Sequence, residues 1–287
     1  GDFKLDPTPV VGASFDQRRL LGLAREPVLC MVSDSTNADL PGCSGSEQSL
    51  RASLRGIVSE CPGRVIVTCF SSNIARFQTL AEVAADTGRC VGLLGRSLRR
   101  TAAIGRALGY FTPTAELVEE RHAGLVPAEN LLALVTGSQG EPGAALHRLA
   151  NDMHPSLDLE PGDSVVFSSR AIPGNEPEID AIKQRLARRG IAVFEHGLHH
   201  THVSGHPAQE ELRRMYGWIK PLSVLAVHGS TDKLRANAAL AASCHVPVQR
   251  TARDGELLRL ESAGLEALDR VPVGRLMVGG RGLERVR

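Results

Sequence analysis

Between about residue 63 and residue 196 the chain repeats one grammar: a short apolar run, a small polar loop, then an amphipathic stretch. Arg64-Val65-Ile66-Val67-Thr68-Cys69-Phe70 reads as a strand, 71–73 as its loop and 74–87 as a helix. Cys90-Val91-Gly92-Leu93-Leu94 leads through Gly95-Arg96-Ser97 into a helix over 98–108, and 131–135 leads through 136–142 into a helix over 143–152. The strand 164–168 leads through 172–176 into a helix over 177–189, and 191–194 closes as another strand. Short, wholly apolar strands separated by helices imply an α/β fold whose parallel sheet is covered on both faces. Right-handed crossovers then place every strand–helix loop on one edge of that sheet.

Such sheets bind ligands at the C-terminal ends of their strands. Each loop here is rich in Ser, Gly or Asn and opens a helix, so its unbonded N–H groups and positive dipole end suit phosphate. The same small residues also serve as tight turns and N-caps, and one loop alone does not separate the two readings. The flanks differ from the repeat. Val28-Leu29-Cys30-Met31-Val32 reads as a strand ending in Ser33-Asp34-Ser35-Thr36-Asn37. Gln209 to Lys220 reads as an amphipathic helix, and 222–227 as a strand that delivers His228. The two flanks read as parts of one domain, with the repeated unit inserted between them.

A chain of 287 residues with 42% hydrophobic content can bury one large core or two smaller ones. Net charge is +1, so recognition of phosphate must come from local arrangement rather than bulk charge. Six cysteines without a C-x-x-C pair read as reduced thiols of a cytoplasmic protein. No apolar run reaches membrane-spanning length, and there is no signal-peptide pattern. The chain begins with Gly rather than Met and reads as an excerpt of a longer one.

Among ten histidines, His122, His147, His154 and His245 read as surface or helix-end residues, and His196, His199 and His200 as loop residues. His206, in His202-Val203-Ser204-Gly205-His206, and His228, in Val227-His228-Gly229, follow small residues in loops beside strands, where a scaffold presents reactive groups. Together with Gly1-Asp2-Phe3 they supply the donor types of a hydrolytic metal centre, drawn from both ends of the chain.

These segments, with Ser33-Asp34-Ser35-Thr36-Asn37-Ala38, Phe70-Ser71-Ser72-Asn73, Thr136-Gly137-Ser138-Gln139-Gly140-Glu141-Pro142 and Ile172-Pro173-Gly174-Asn175-Glu176, fall in the order seen in ribonuclease J. The chain resembles that family from residue 1 to about residue 285. The resemblance implies a partial metallo-β-lactamase αββα fold with an inserted, Rossmann-like β-CASP domain. On it, residues 1–46 and 209–287 are parts of the metallo-β-lactamase domain and 47–208 the β-CASP domain; the family's C-terminal domain is missing after about Gly282.

The resemblance also implies roles. Asp2 resembles a carboxylate bridging two metal ions, Zn2+ or Mn2+, and His228 a ligand to one of them. His206 resembles the general acid that protonates a leaving 3′-oxygen, with Asp34 orienting it. Phe70, Ser71 and Ser72, with His202, Val203, Ser204, Gly205 and His206, resemble the contacts to RNA phosphate, including a pocket for a 5′-monophosphate. The implied activity is metal-dependent hydrolysis of RNA, 5′-to-3′ from an end and also internally, in RNA maturation and decay, by a protein that is a homo-oligomer when intact.

The departures matter equally. The family's H-x-H-x-D-H signature precedes the aspartate with which this chain opens, so the fragment is expected to be inactive alone. Ser230-Thr231-Asp232 stands where an acidic–aromatic pair is usual, and Pro207 where alanine is common. A second reading is a non-catalytic phosphate- or RNA-binding remnant or partner chain. A third keeps the fold with another substrate; the inserted domain and its Gly-Ser-Gln-Gly loop argue against that.

Overall fold

The computed structural model describes residues 2–261, 264–279 and 282–285; Gly1, which opens the expected Gly1-Asp2-Phe3 segment, lies outside them. The chain forms two compact units, one from Gly1–Leu5, Phe15–Ser44 and Gly205–Arg287, the other from Asp6–Ser14 and Gly45–Ser204. Sequence reading puts the joins after residues 46 and 208; the units join after Ser44 and Ser204, and Asp6–Ser14 goes with the second unit.

The second unit is built on a six-stranded sheet. Its order is Leu117–Val118, Cys90–Leu94, Leu131–Val135, Val65–Thr68, Ser164–Phe167, Ala192–Glu195. Every neighbouring pair is parallel. Side chains alternate faces along a strand, so Val65 and Val67 enter one core with Leu54, Phe77, Leu80 and Leu98. Ile66 enters the other, with Leu146, Leu149, Ile179 and Leu186. Both faces are covered, which is why the central strands are apolar throughout rather than alternating. The helix Glu176–Arg188 begins with Glu176, Pro177 and Glu178 and ends with Arg185 and Arg188, a sequence matched to its dipole.

The first unit holds a three-stranded parallel sheet in the order Met31–Asp34, Ser223–Val227, Val248–Thr251. Helices Gln209–Ile219 and Thr231–Ser243 contribute Leu212, Tyr216, Leu240 and Ala241 to its core. Two antiparallel strand pairs follow, Glu256–Glu261 with Gly264–Arg270 and Leu276–Gly279 with Gly282–Arg285. No helix among the described residues is long and apolar enough to cross a membrane.

Several elements differ from the sequence reading. The strand expected over 28–32 runs Met31–Asp34, so Asp34 closes the strand rather than sitting in the loop beyond it. The helix expected over 143–152 covers only Ala145–Ala150. Leu50–Glu60 and Thr231–Ser243 are helices that the reading did not name. His154, read as a surface residue, is buried at 6% exposure.

A buried arginine ties the second unit's loops together. Arg76, fully buried in helix Ile74–Asp86, pairs with Glu47 at 2.5 and 3.1 Å. Its Nη1 donates to Ser168 O at 2.8 Å, to Ser168 Oγ and to Thr201 O at 3.2 Å. The same helix is capped by Asn73, whose side chain accepts from Arg76 N–H, and Asn73 N–H donates to Phe70 O at 3.0 Å. One helix start thus fixes both the 70–73 loop and the entrance to 202–204. Replacing Arg76 by Met strands the Glu47 carboxylate, and we expect a loss of about 3–5 kcal/mol in unfolding free energy. A urea midpoint unchanged from the parent would contradict this.

Candidate active site

Parallel pairing of Met31–Asp34 with Ser223–Val227, in the register Asp34↔Val227, brings two segments nearly two hundred residues apart side by side. Asp34 ends one strand and His228 follows the other. Helix Thr231–Ser243 pins the junction: Asn237, fully buried, donates through Nδ2 to Asp34 O at 3.0 Å and Ser35 Oγ at 2.9 Å. Its Oδ1 accepts from the Tyr216 hydroxyl, which also meets Ser33 Oγ at 2.9 Å. Burial pushes the Tyr216 phenol up to about 12, so it stays a donor. Lys233 Nζ donates to Thr36 O.

The Asp34 side chain is fully buried and its oxygens are divided between two histidines. Oδ2 lies 2.6 Å from His206 Nδ1. Oδ1 accepts from Thr36 N–H at 2.8 Å and Thr36 Oγ1 at 2.7 Å, and lies 3.5 Å from His228 Nδ1. Burial acts to raise the Asp34 pKa; the Thr36 and His206 hydrogen bonds outweigh it and hold the carboxyl below its ordinary value. An ionised carboxylate only accepts, so Nδ1 of His206 carries a proton and the chemistry of that ring falls to Nε2. Thr36 Oγ1, having given its proton to Asp34, accepts from His228 Nδ1 at 2.9 Å. That relay leaves Nε2 as the His228 nitrogen with a lone pair, the tautomer of a carboxylate-backed metal histidine. Asp34 Oδ1 also closes a turn onto Thr36 N–H, so the same oxygen serves both the turn and the relay.

His228 has φ 60°, the left-handed region that non-glycine residues rarely occupy. A Cβ on Gly229 would lie 3.1 Å from Lys233 Cβ and 3.2 Å from Ser35 Cβ, so glycine lets the turn close without displacing either neighbour. The two imidazoles stack with centroids 5.2 Å apart. Asp2 Oδ1 is 3.8 Å from His228 Nδ1, and both side chains are more than half exposed. One ligand atom from each of Asp2, Asp34, His206 and His228 lies within 4.8 Å of the others, the one such cluster among the described residues.

Of the residues singled out from sequence, Asp2, Asp34, His206 and His228 are brought together in the first unit. Phe70, Ser71, Ser72, His202, Val203 and Ser204 belong to the second unit, and Gly205 to the first beside His206. Val203 is buried, with Cγ1 3.4 Å from where a Gly45 Cβ would stand. Thr36 and Asn237 received no role from sequence. Asn237 carries a signal nonetheless: it lies on the buried side of a helix with Leu240 and Ala241, where a polar side chain needs partners.

Two families match the chain, one within the second unit and one running from its end into the first. The family described as "Ribonuclease J, beta-CASP domain" matches residues 62–186. The one described as "Zn-dependent metallo-hydrolase RNA specificity domain" matches 190–248. The chain is 40% identical over 280 residues to Ribonuclease J of Sinorhizobium meliloti, covering 98% of this chain and 50% of that protein. It is 36% identical over 286 residues to Ribonuclease J 1 of Streptococcus pyogenes, covering 99% and 51%. Against Ribonuclease J of Thermus thermophilus it is 36% identical over 285 residues, covering 99% and 50%. The chain spans about half the length of the curated relatives it matches.

Asp34→Asn removes the charge that both histidine contacts require and should cost on the order of 1–3 kcal/mol at pH 7. Because the folded pKa is depressed, this contribution is complete above the unfolded value of about 3.9 and disappears as pH falls through the folded value. Urea midpoints of parent and variant should therefore converge as pH falls below the unfolded value. A gap that held constant into acid would show that shape, not charge, accounts for the loss.

Proposed function

The chain belongs to the ribonuclease J family, within the metallo-β-lactamase superfamily, and on that premise we propose that the intact protein is a metal-dependent ribonuclease. The observation that carries this reading is the meeting of Asp2, Asp34, His206 and His228 within 4.8 Å. They combine the carboxylate and imidazole donors of a metal centre with a carboxylate-oriented acid.

Asp2 and His228 fit one side of a metal centre. Both are exposed, both offer hard or borderline donors, and the Nδ1 of His228 is already committed to Thr36. Two donors fall short of the roughly three or four protein ligands of a zinc site, so the 287-residue chain by itself does not turn over RNA. When bound, Zn2+ or Mn2+ would activate water and offset charge on the phosphoryl oxygens. His206 gives the Nε2 proton to the leaving 3′-oxygen as the P–O bond breaks. Asp34 holds the ring in the tautomer and orientation for that transfer, and Thr36 carries the same constraint to His228. Phe70, Ser71 and Ser72, with 202–206, hold the RNA phosphates and a 5′-monophosphate. A pocket for a 5′-monophosphate would favour stepwise 5′-to-3′ digestion, with internal cleavage when the end is bypassed. RNA maturation and decay in a bacterial cytoplasm, by a homo-oligomer, follow as the setting.

In the intact protein, His206→Ala should lower the cleavage rate by about 10²–10⁴-fold and leave RNA affinity nearly unchanged. Cleavage at the parent rate would remove His206 from its role. His228→Ala should reduce bound metal per chain; unaltered stoichiometry would reject His228 as a ligand.

A further inference from the structure

We propose that the second unit carries a binding site for a free nucleotide in a crevice at the point where its sheet reverses winding. Strands Cys90–Leu94 and Leu131–Val135 are parallel neighbours. From the first, the chain leaves toward Leu117–Val118 at the sheet edge; from the second, it leaves the other way, toward Ser164–Phe167. Helix Arg96–Ala107 packs into one core and Ala145–Ala150 into the other, so their starts diverge across the sheet edge. Divergence of this kind opens a ligand crevice at the strands' C-terminal ends.

A cavity of about 700 Å3 occupies that point, a volume suited to one small ligand. Four guanidinium groups line it, from Arg96, Arg99, Arg100 and Arg148, against the single carboxylate of Glu120. Arg99 lies 3.4 Å from Glu120; among the described residues the other three have no carboxylate within ion-pair distance. A chain of net charge +1 has concentrated positive charge here. Helix Arg96–Ala107 adds its N-terminus: Gly95 has φ 130° and makes no side-chain cap. A Cβ there would meet Thr136 Cγ2 at 2.7 Å, so glycine brings the backbone N–H groups to the crevice wall.

The polar floor points to more than an inorganic anion. Glu120 Oε2 is buried and makes no hydrogen bond among the described residues; its ion-pair partner is Arg99 Nη2 at 3.4 Å. His154, with a side chain 2% exposed, accepts Ser156 N–H at Nδ1, so Nε2 carries the proton. That Nε2 lies 3.6 Å from Glu120 Oε1, beyond hydrogen-bonding distance. A buried carboxylate oxygen that has an ion-pair partner but accepts no hydrogen bond, beside an arginine cluster, matches a ligand with both phosphate and hydroxyl groups. A nucleoside diphosphate has both: the phosphates go to Arg96, Arg100, Arg148 and the helix start, and a ribose hydroxyl to Glu120. None of these residues belongs to the candidate active site, and the proposal does not depend on the ribonuclease reading.

Calorimetric titration of the 287-residue chain with ADP, with pyrophosphate and with a short 5′-phosphorylated RNA tests it. ADP should bind saturably at one site, and Arg96→Ala or Arg148→Ala should each weaken it by about tenfold or more. Glu120→Gln should weaken ADP but not pyrophosphate, and the distant Arg213→Ala should change neither. No saturable ADP binding, or ADP binding indifferent to both crevice arginines, would overturn the proposal. Dependence on those arginines for RNA alone would overturn it too and assign the crevice to an RNA strand.

Discussion

Asp34 is the constraint on which the candidate site turns. A fully buried carboxylate costs several kcal/mol unless each oxygen is satisfied, and here Thr36 and His206 satisfy them. The requirement runs in both directions. Ionised Asp34 needs donors, and in taking them it fixes which nitrogen of each histidine is presented outward. Moving His206 would leave part of a buried charge unpaired.

The backbone makes this possible by an expensive route. Met31–Asp34 finds its partner strand some 190 residues later, and such non-local parallel pairing pays its closure entropy before contacts reward it. Asn237 and Tyr216 then lock the strand end from beneath, through a network with Ser33 and Ser35. His228 accepts a left-handed backbone in return for its place against Thr36. Strain of this kind, held by a rigid surround, is a common mark of functional positions.

Much of the second unit is legible in sequence because its physics is local. Leu131–Val135 is apolar at every position since both faces are covered, and loop chemistry after each strand marks the helix starts. Strand order is not local: nothing in Leu131–Val135 says that it inserts between Cys90–Leu94 and Val65–Thr68. Leu117–Val118 is too short to carry a pattern. At the site, Asp34 and His206 stand 172 residues apart, and their pairing is readable only through the order of motifs shared with a family. The Thr36 relay depends on the backbone angle at His228, which residue types alone do not dictate. His154 misled because histidine usually sits at surfaces, whereas here its side chain is buried beside Glu120.

The central claim is that Asp34 orients His206 to give a proton to a leaving 3′-oxygen. The most direct measurement compares cleavage by parent and His206→Ala forms of the intact protein on RNA with a 3′-bridging sulfur at one linkage. A thiolate leaves without protonation, because a thiol is far more acidic than an alcohol. The account predicts that the variant loses its rate on ordinary RNA and regains nearly the parent rate at the sulfur linkage. An equal loss on both substrates would contradict it, and His206 would then serve the site in some way other than as its acid.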